Sequence, residues 1–240
     1  MTVPKVTAYG FGPGVGMPDV SPFCCKLHAY GVFAGLDVRW EVGVAPRAPR
    51  GKLPWAEIDG VAVSDSGTIV EVLEGEVGLD AHLDERGRAL SRVMRSALEE
   101  HVYFMLLHWR WVDPSGWAIY RGVIAEVIEL GGVPAALTPL VRWAARRGVR
   151  RSLRAQGVGR MTGQELERTG AALVGAFEEL LGDQEWLLGA RPTTLDASAY
   201  GVLGGAWVPE LANPLRVAVG EAPRLAAYLD RVHAMVMMEA

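Results

Sequence analysis

Apolar and polar residues in the first part of the chain alternate in short runs that glycine and proline separate. Lys5–Tyr9 and Asp37–Val42 alternate with the period of a strand, and Pro22–Ala34 between them has the composition of a helix. This order predicts a β-α-β unit. A loop rich in proline, arginine and glycine follows it over Ala45–Lys52.

The strongest local signal comes directly after this loop. Trp55–Ile58 and Val61–Val63 are short alternating runs that Asp59 and Gly60 separate. Asp-Gly in such a position is typical of a type I′ turn, in which both central residues need a positive φ angle. We therefore predict a β-hairpin, and a helix over Ser66–Leu73 after it.

Beyond about residue 84 the apolar residues recur at helical spacing instead. Long helices are predicted from Leu90, Met94, Leu98, His101, Met105 and His108, from Leu166, Leu173, Val174, Phe177, Leu180 and Leu181, and from Leu225, Leu229, Val232 and Val236. Strands followed by helices predict an α+β fold. We place a sheet-containing domain at residues 1–76 and an all-helical domain at residues 84–240.

Composition narrows the class of protein. The 240 residues are 50% hydrophobic, which suffices for a substantial core, and the net charge of −4 gives no overall attraction to nucleic acid. The N-terminus lacks the apolar run of a signal peptide, and no window is apolar enough to span a membrane. The only cysteines, Cys24 and Cys25, are adjacent, and such neighbours rarely pair. We therefore expect a protein of the cytoplasm.

The first candidate for chemistry is the segment Ser21-Pro-Phe-Cys24, in the loop before the first helix. Free backbone N–H groups and the positive end of the helix dipole meet there, and both stabilise a thiolate. Pro22 suits the first helical position, where an N–H would have no partner. The segment alone favours a structural interpretation, in which Ser21 caps the helix and Cys24 is a small buried side chain.

Two further segments change that balance. Pro54, at the start of the predicted hairpin, is expected to form a cis bond with Leu53, which leaves the N–H and C=O of Leu53 free to pair with an extended peptide. Ser64-Asp65-Ser66 then opens a helix with a cap, free N–H groups and a carboxylate. Such a helix start can hold the α-amino and α-carboxylate groups of an amino acid.

Together these segments resemble a known family. Ser-Pro-Phe-Cys at 21–24, Gly-Lys-Leu-Pro at 51–54 and Ser-Asp-Ser at 64–66 resemble the active-site loop, cis-proline and γ-glutamyl site of glutathione transferases. Thr193-Thr-Leu-Asp196 matches the capping box of the family's core helix. SPFCCK, GKLPW, EEHVYF, QGVGR and LDASAYG resemble the failed-axon-connections and metaxin-like branch. The resemblance covers nearly the whole chain and implies a thioredoxin-like N-terminal domain and an all-α C-terminal domain.

The resemblance also implies roles for individual residues. Ser21 is expected to donate a hydrogen bond to the thiolate of glutathione, and Leu53 to pair with the cysteinyl backbone. Lys52 is expected near the glycyl end of the tripeptide. Asp65 and Ser66 are expected to hold the γ-glutamyl end.

The long helix after the linker supplies candidates for a second-substrate pocket, because in this family it flanks that cleft. His101 and His108 lie two turns apart on its apolar side. A histidine there is more often a core residue, but one that faces the cleft can act as general acid or base. The aromatic residues that either floor such a pocket or belong to the core are Tyr103, Trp109, Trp111 and Trp117.

A basic run in the helical domain resembles a nucleic-acid patch; it comprises Arg146, Arg147, Arg150, Arg151 and Arg154. Because no aromatic residues interleave and the chain is acidic overall, a solvated helix face or an intersubunit contact is the better interpretation. We expect no nucleic-acid partner. No spacing of histidine, cysteine and carboxylates suggests a metal.

These features predict a transferase or isomerase that uses glutathione, or another low-molecular-weight thiol, on a small electrophile, aromatic electrophiles included. Serine at position 21 cannot form a mixed disulfide, so the loop favours conjugation, with Cys24 as a second candidate nucleophile if it is exposed. We expect a homodimer. The alternatives are a binding or scaffold protein of the same fold and a thiol-independent enzyme. The retained set of Ser21, Lys52, Asp65 and Ser66 favours the transferase, because a scaffold does not need it.

Overall fold

In the computed structural model, which describes residues 3–239, the first elements form a β-α-β unit. Strand β1 (Val6–Gly10) leads through a long loop to helix α1 (Pro22–Phe33), and β2 (Val38–Val42) returns parallel to β1. A short 3₁₀ turn, Ala45–Arg47, lies in the loop that follows. These elements lie where the sequence predicts them.

The predicted hairpin is present as β3 (Trp55–Ile58) and β4 (Val61–Ser64). Asp59 and Gly60 have φ angles of 49° and 82°, the two positive values that a type I′ turn needs. The sheet order is β2-β1-β3-β4, with β3 antiparallel to both of its neighbours. Helix α2 (Ser66–Val77) follows and is a full turn longer than predicted.

The strand register brings three chain segments to one edge of this sheet. Tyr9 near the end of β1 lies opposite Trp55 at the start of β3, and Trp55 lies opposite Ser64 at the end of β4. The loop after β1, the turn before β3 and the start of α2 therefore meet at the same edge.

Within the described residues, every regular element after β4 is helical. A long helical run comprises α3 (Glu85–Ala97), a π-helical turn (Leu98–Val102) and α4 (Tyr103–Trp111). The remaining helices are α5 (Pro114–Leu130), α6 (Thr138–Gln156), α7 (Gly163–Leu181), α8 (Thr194–Ala199), α9 (Gly205–Trp207), α10 (Pro214–Gly220) and α11 (Pro223–Glu239). None of these helices is long and apolar enough to cross a membrane.

Helix α1 joins the sheet to the helical part. It packs on the π-helical turn Tyr200–Gly204, where a Cβ on Gly201 would lie 2.3 Å from the carbonyl oxygen of Pro22, so only glycine fits. On the same helix the buried Lys26 Nζ lies 2.7 Å from Glu99 Oε1, which also accepts a hydrogen bond from Ser198 at 2.6 Å. The protein is thus a thioredoxin-like domain packed on an all-helical domain, and the boundaries at residues 76 and 84 stay a prediction.

The arginine run lies on α6. Arg147, Arg150, Arg151 and Arg154 are exposed, as a solvated helix face requires. Arg146 differs, because its Nε donates to the carbonyl oxygen of Trp111 at 2.9 Å and its guanidinium lies 4.2 Å from the ring centre of Trp117.

Candidate active site

Ser21 is the last residue before α1. Its backbone is extended, and Pro22 occupies the first helical position, as predicted. The hydroxyl of Ser21 accepts no hydrogen bond from the first turn of α1, so it is not the helix cap that the structural interpretation assumed. The side chain is half-buried and lies in the wall of a large cavity.

A buried carboxylate organises the backbone around Ser21. Asp19 is 2% exposed; its Oδ1 accepts the N–H of Ser21 at 2.7 Å, and its Oδ2 accepts those of Phe11 at 2.8 Å and Gly12 at 3.0 Å. Burial raises the pKa of Asp19 to about 6 although the three N–H groups favour the ionised form. Sequence reasoning missed Asp19. It fixes the path of the loop that presents Ser21.

The two cysteines are inaccessible. Cys24 and Cys25 are 0% and 1% exposed, and the thiol of Cys25 donates to the carbonyl oxygen of Asp19 at 2.9 Å. Burial, and then the nearby charge of Asp19, raise the pKa of Cys24 well above its ordinary range. A thiol in this environment remains protonated at neutral pH, and Cys24 does not line the cavity.

The turn before β3 and the start of α2 complete this edge of the sheet. The bond between Leu53 and Pro54 is cis, as predicted. Within residues 3–239 neither the N–H nor the C=O of Leu53 forms a hydrogen bond, and Lys52 is exposed. Asp65 precedes α2 with a φ of 81°, and its Oδ1 accepts the N–H of Gly67 at 2.9 Å.

Ser66, at the first position of α2, is 4% exposed. By the strand register, the structure therefore brings the predicted residues Ser21, Lys52, Leu53, Pro54, Asp65 and Ser66 to one edge of the sheet. The starts of α1 and α2 also lie there, and the N–H groups of Gly67 and Thr68 in the first turn of α2 donate to Asp65 Oδ1. Such an edge suits an extended peptide with a charged amino-acid end.

A cavity of about 490 Å³ adjoins Ser21. Its walls come from the β1–α1 loop, the segment 43–46, and helices α4, α5 and α6, and nearly all of them are apolar. The cavity lies between the two domains and extends into the helical one. Its lining residues include Phe11, Val44, Leu106, Leu107, Ile124, Val127, Ile128, Val133, Val141 and Val149. The space therefore suits an uncharged, apolar molecule.

Of the three pocket residues predicted on the long helix, Tyr103 lines the cavity and the two histidines do not. The cavity side of α4 carries Tyr103, Leu106, Leu107, Arg110 and Trp111. A helix turns about 100° per residue, so His108, and His101 in the preceding π-helical turn, lie on the opposite side.

His108 has a structural environment instead. It packs edge-on against Trp109 with ring centres 5.2 Å apart, and burial lowers the pKa of His108 although Asp113 raises it. Tyr103 is different: burial raises the pKa of its hydroxyl to about 12, so this group stays protonated beside the cavity. Tyr103 thus offers the cavity a hydrogen-bond donor.

Arg110 is a second residue that sequence reasoning missed. It is 5% exposed and lines the cavity. Its Nη1 donates to the carbonyl oxygen of Val20 at 3.3 Å and its Nη2 to that of Gly205 at 2.5 Å, while the guanidinium lies 5.2 Å from the ring centre of Tyr120. Arg110 therefore connects the Ser21 loop with the helical domain.

Comparison with known proteins identifies the family to which this chain belongs. The glutathione S-transferase N-terminal domain family matches residues 22–116, and the glutathione S-transferase C-terminal domain family matches residues 171–232. The chain is 31% identical over 209 residues to Isoprene-epoxide–glutathione S-transferase of Rhodococcus sp. (strain AD45), with 82% of this chain and 85% of the relative covered. The chain therefore belongs to the glutathione S-transferase family.

Two other similarities refine this result. Failed axon connections of Drosophila melanogaster is 26% identical over 239 residues, which cover 93% of this chain and 56% of the relative. A rice glutathione S-transferase in complex with glutathione shares the fold, with a TM-score of 0.60 at 17% identity over 96% of this chain and 87% of that chain. The predicted family and its failed-axon-connections-like branch are confirmed.

Proposed function

We propose that this protein joins glutathione, or another low-molecular-weight thiol, to a small apolar electrophile. The observation that carries the proposal is the cavity of about 490 Å³, which adjoins Ser21 and has almost wholly apolar walls. A thiol whose sulfur lies at the start of α1 faces a space that accepts an apolar molecule and excludes water. Proximity and desolvation both accelerate attack by a thiolate.

In this proposal the edge of the sheet binds the thiol. Ser21 donates a hydrogen bond to the sulfur, and the unpaired N–H and C=O of Leu53 pair with the cysteinyl backbone. Asp65 and Ser66 hold the γ-glutamyl end, and Lys52 lies near the glycyl carboxylate. Cys24 takes no part, because a buried and protonated thiol cannot attack.

The electrophile class that we favour is the epoxide. Its support is the relative at 31% identity whose name states that it joins isoprene epoxide to glutathione. An epoxide is small, uncharged and compatible with apolar walls. Tyr103, protonated and buried in the wall, can donate a hydrogen bond to such a substrate.

Calorimetry with glutathione tests the thiol site through Asp65→Asn. Asparagine can still cap α2 and tolerates a positive φ, so this change removes the charge and little else. We expect glutathione affinity to fall roughly 10- to 150-fold, the effect of losing one charge-assisted hydrogen bond of about 1.5–3 kcal/mol. Asp84→Asn is the matched control, because Asp84 is also an exposed helix cap, with Oδ1 accepting the N–H of Gly87 at 2.6 Å.

Equal affinity in the parent and in Asp65→Asn would remove Asp65 from the site. The proposal fails if the parent protein converts no epoxide and binds none of the three thiols glutathione, cysteine and coenzyme A. In that case, a scaffold protein of the same fold or a thiol-independent enzyme is the better description. Cytoplasmic location and homodimeric assembly stay predictions, which cell fractionation and sedimentation measurements test.

A further inference from the structure

The cavity contains a buried cation that no carboxylate neutralises. Arg110 forms no ion pair with any carboxylate in residues 3–239, and its Nε has no hydrogen-bond partner. A buried charge without a counter-charge is strongly disfavoured, and a buried donor without an acceptor adds to that cost. Two backbone carbonyls and the face of Tyr120 compensate this charge only in part.

The charge also lies at the reactive end of the cavity. Nη1 of Arg110 donates to the carbonyl oxygen of Val20, the residue directly before Ser21. The part of the wall that comes from α5, α6 and the segment between them is apolar and includes Ile128, Val133 and Val141. The cation therefore lies near the reacting atoms, and the apolar body of a substrate occupies the rest of the space.

We propose that Arg110 stabilises the negative charge that develops on an oxygen atom of the electrophile. This inference rests on the proposed function. When the thiolate sulfur attacks an epoxide carbon, the S–C bond forms as the C–O bond breaks, and the electron pair of that bond stays on oxygen as an alkoxide. The alkoxide then takes a proton from water, which balances the proton that the thiol lost earlier.

A fixed guanidinium suits this task because it is already in place before the charge appears. Donors that are oriented in advance toward a developing oxyanion stabilise the transition state more than the ground state. The water-poor walls strengthen the interaction. The substrates of this site are therefore electrophiles that end the attack with negative charge on oxygen, and epoxides are among them.

The test compares two electrophiles of the same chain length, 1,2-epoxyhexane and 1-iodohexane, in the full-length protein. Oxygen needs stabilisation as it leaves carbon, whereas iodide is a weak base and a weak hydrogen-bond acceptor. We expect Arg110→Met to lower kcat for the epoxide on the order of 100-fold and to change kcat for the iodide less than about fivefold. Arg110→Lys, which keeps a positive charge, is expected to lose less on the epoxide and serves if Arg110→Met does not fold.

Arg146→Met is the matched control. Arg146 also donates to a backbone carbonyl and stacks on a tryptophan, but it does not line the cavity. The Arg146→Met variant should therefore leave kcat unchanged for both the epoxide and the iodide. Calorimetry should give the same glutathione affinity for Arg110→Met as for the parent.

Three results would overturn the inference. Equal losses for both electrophiles would mean that Arg110 acts through the thiolate or the domain contact. A raised pKa of bound glutathione, read from thiolate absorbance, would identify the thiolate as its target. If the parent protein converts the iodide but not the epoxide, the proposed function stands and the role of Arg110 is refuted. If the parent protein converts neither electrophile and does not bind glutathione, the proposed function itself is refuted.

Discussion

Two buried carboxylates organise two different regions of this molecule. Asp19 holds the loop before α1, and Asp196 holds the start of α8 in the helical domain. Both are almost completely buried, and burial raises the pKa of each. The donors around them differ. Oδ1 of Asp196 accepts hydrogen bonds from Leu187 N–H at 3.0 Å and the Tyr228 hydroxyl at 2.7 Å.

Oδ2 of Asp196 accepts the N–H of Thr193 at 2.8 Å and its hydroxyl at 2.6 Å. These donors come from separate segments, so this carboxylate ties distant parts of the helical domain together. The carboxylate of Asp19 instead accepts three backbone N–H groups of its own loop, which adjoins the cavity. Asp196 therefore contributes mainly to stability, whereas Asp19 sets the geometry of the loop that presents Ser21.

The comparison predicts its largest effect for Asp196→Asn. Only one oxygen remains, so either the Thr193 pair or the Leu187 and Tyr228 pair meets an amide NH₂ instead of an acceptor. We expect a loss of about 3 kcal/mol in the free energy of unfolding, as for buried donors without acceptors. Urea denaturation measures it from the shift of the midpoint at constant slope.

Asp230→Asn is the control for this change. Asp230 is exposed and accepts one hydrogen bond, from Trp207 Nε1 at 2.7 Å, so its loss should cost below about 0.5 kcal/mol. A cost for Asp196→Asn as small as that of the control would remove the distinction between the two carboxylates.

The two carboxylates also differ in how far the sequence reveals them. Asp196 ends Thr193-Thr-Leu-Asp196, a capping-box spacing that can be read directly from the chain. The hairpin, the cis Leu53–Pro54 bond and the start of α1 also depend on local chemistry, which is why they were predictable. Asp19 gives no such signal, since its partners are backbone N–H groups that any residue carries.

The cavity was unpredictable for a different reason. It forms where α4, α5 and α6 and two loops of the other domain face one another, and no single segment carries that information. The apolar spacing predicts that His101 and His108 face the pocket, but the side of the helix that faces the cavity is the one with Tyr103 and Arg110. A signal was present: Arg110 lies seven residues after Tyr103, hence on the same side of a helix, between two tryptophans.

Asp19→Asn is expected to have the intermediate effect. At pH 7 we expect a loss of about 1–2 kcal/mol, because one of the three loop N–H groups faces the amide NH₂. The pKa of Asp19 is raised to about 6 in the folded state, above its unfolded value, so this group adds stability to the parent that is fully present below the unfolded pKa. That stability is lost as pH rises through about 6.

The deficit of Asp19→Asn relative to the parent should therefore grow as pH falls from 7 toward 4, by on the order of 3 kcal/mol. Urea unfolding of both proteins across this pH range measures it. A deficit that shrinks on acidification would show that hydrogen bonding, not burial, determines the pKa of Asp19. Turnover should also fall in the variant, because the Ser21 loop loses a support.

Ser21→Ala is expected to have the smallest effect on stability of these substitutions, but a large effect on turnover. Its hydroxyl caps no N–H of α1, so the free energy of unfolding should change by less than about 0.5 kcal/mol. If Ser21 donates one hydrogen bond to the thiolate, the pKa of bound glutathione should rise by about one unit and turnover at neutral pH should fall roughly tenfold. Ser21→Thr retains the hydroxyl and should restore most of the rate.

Cys24→Ala is the opposing control, since loss of this buried thiol should cost about 1 kcal/mol of stability and leave turnover intact. Turnover with 1,2-epoxyhexane against pH in all three variants decides between the residues. An inactive Cys24→Ala beside an active Ser21→Ala would transfer the chemistry to the buried thiol.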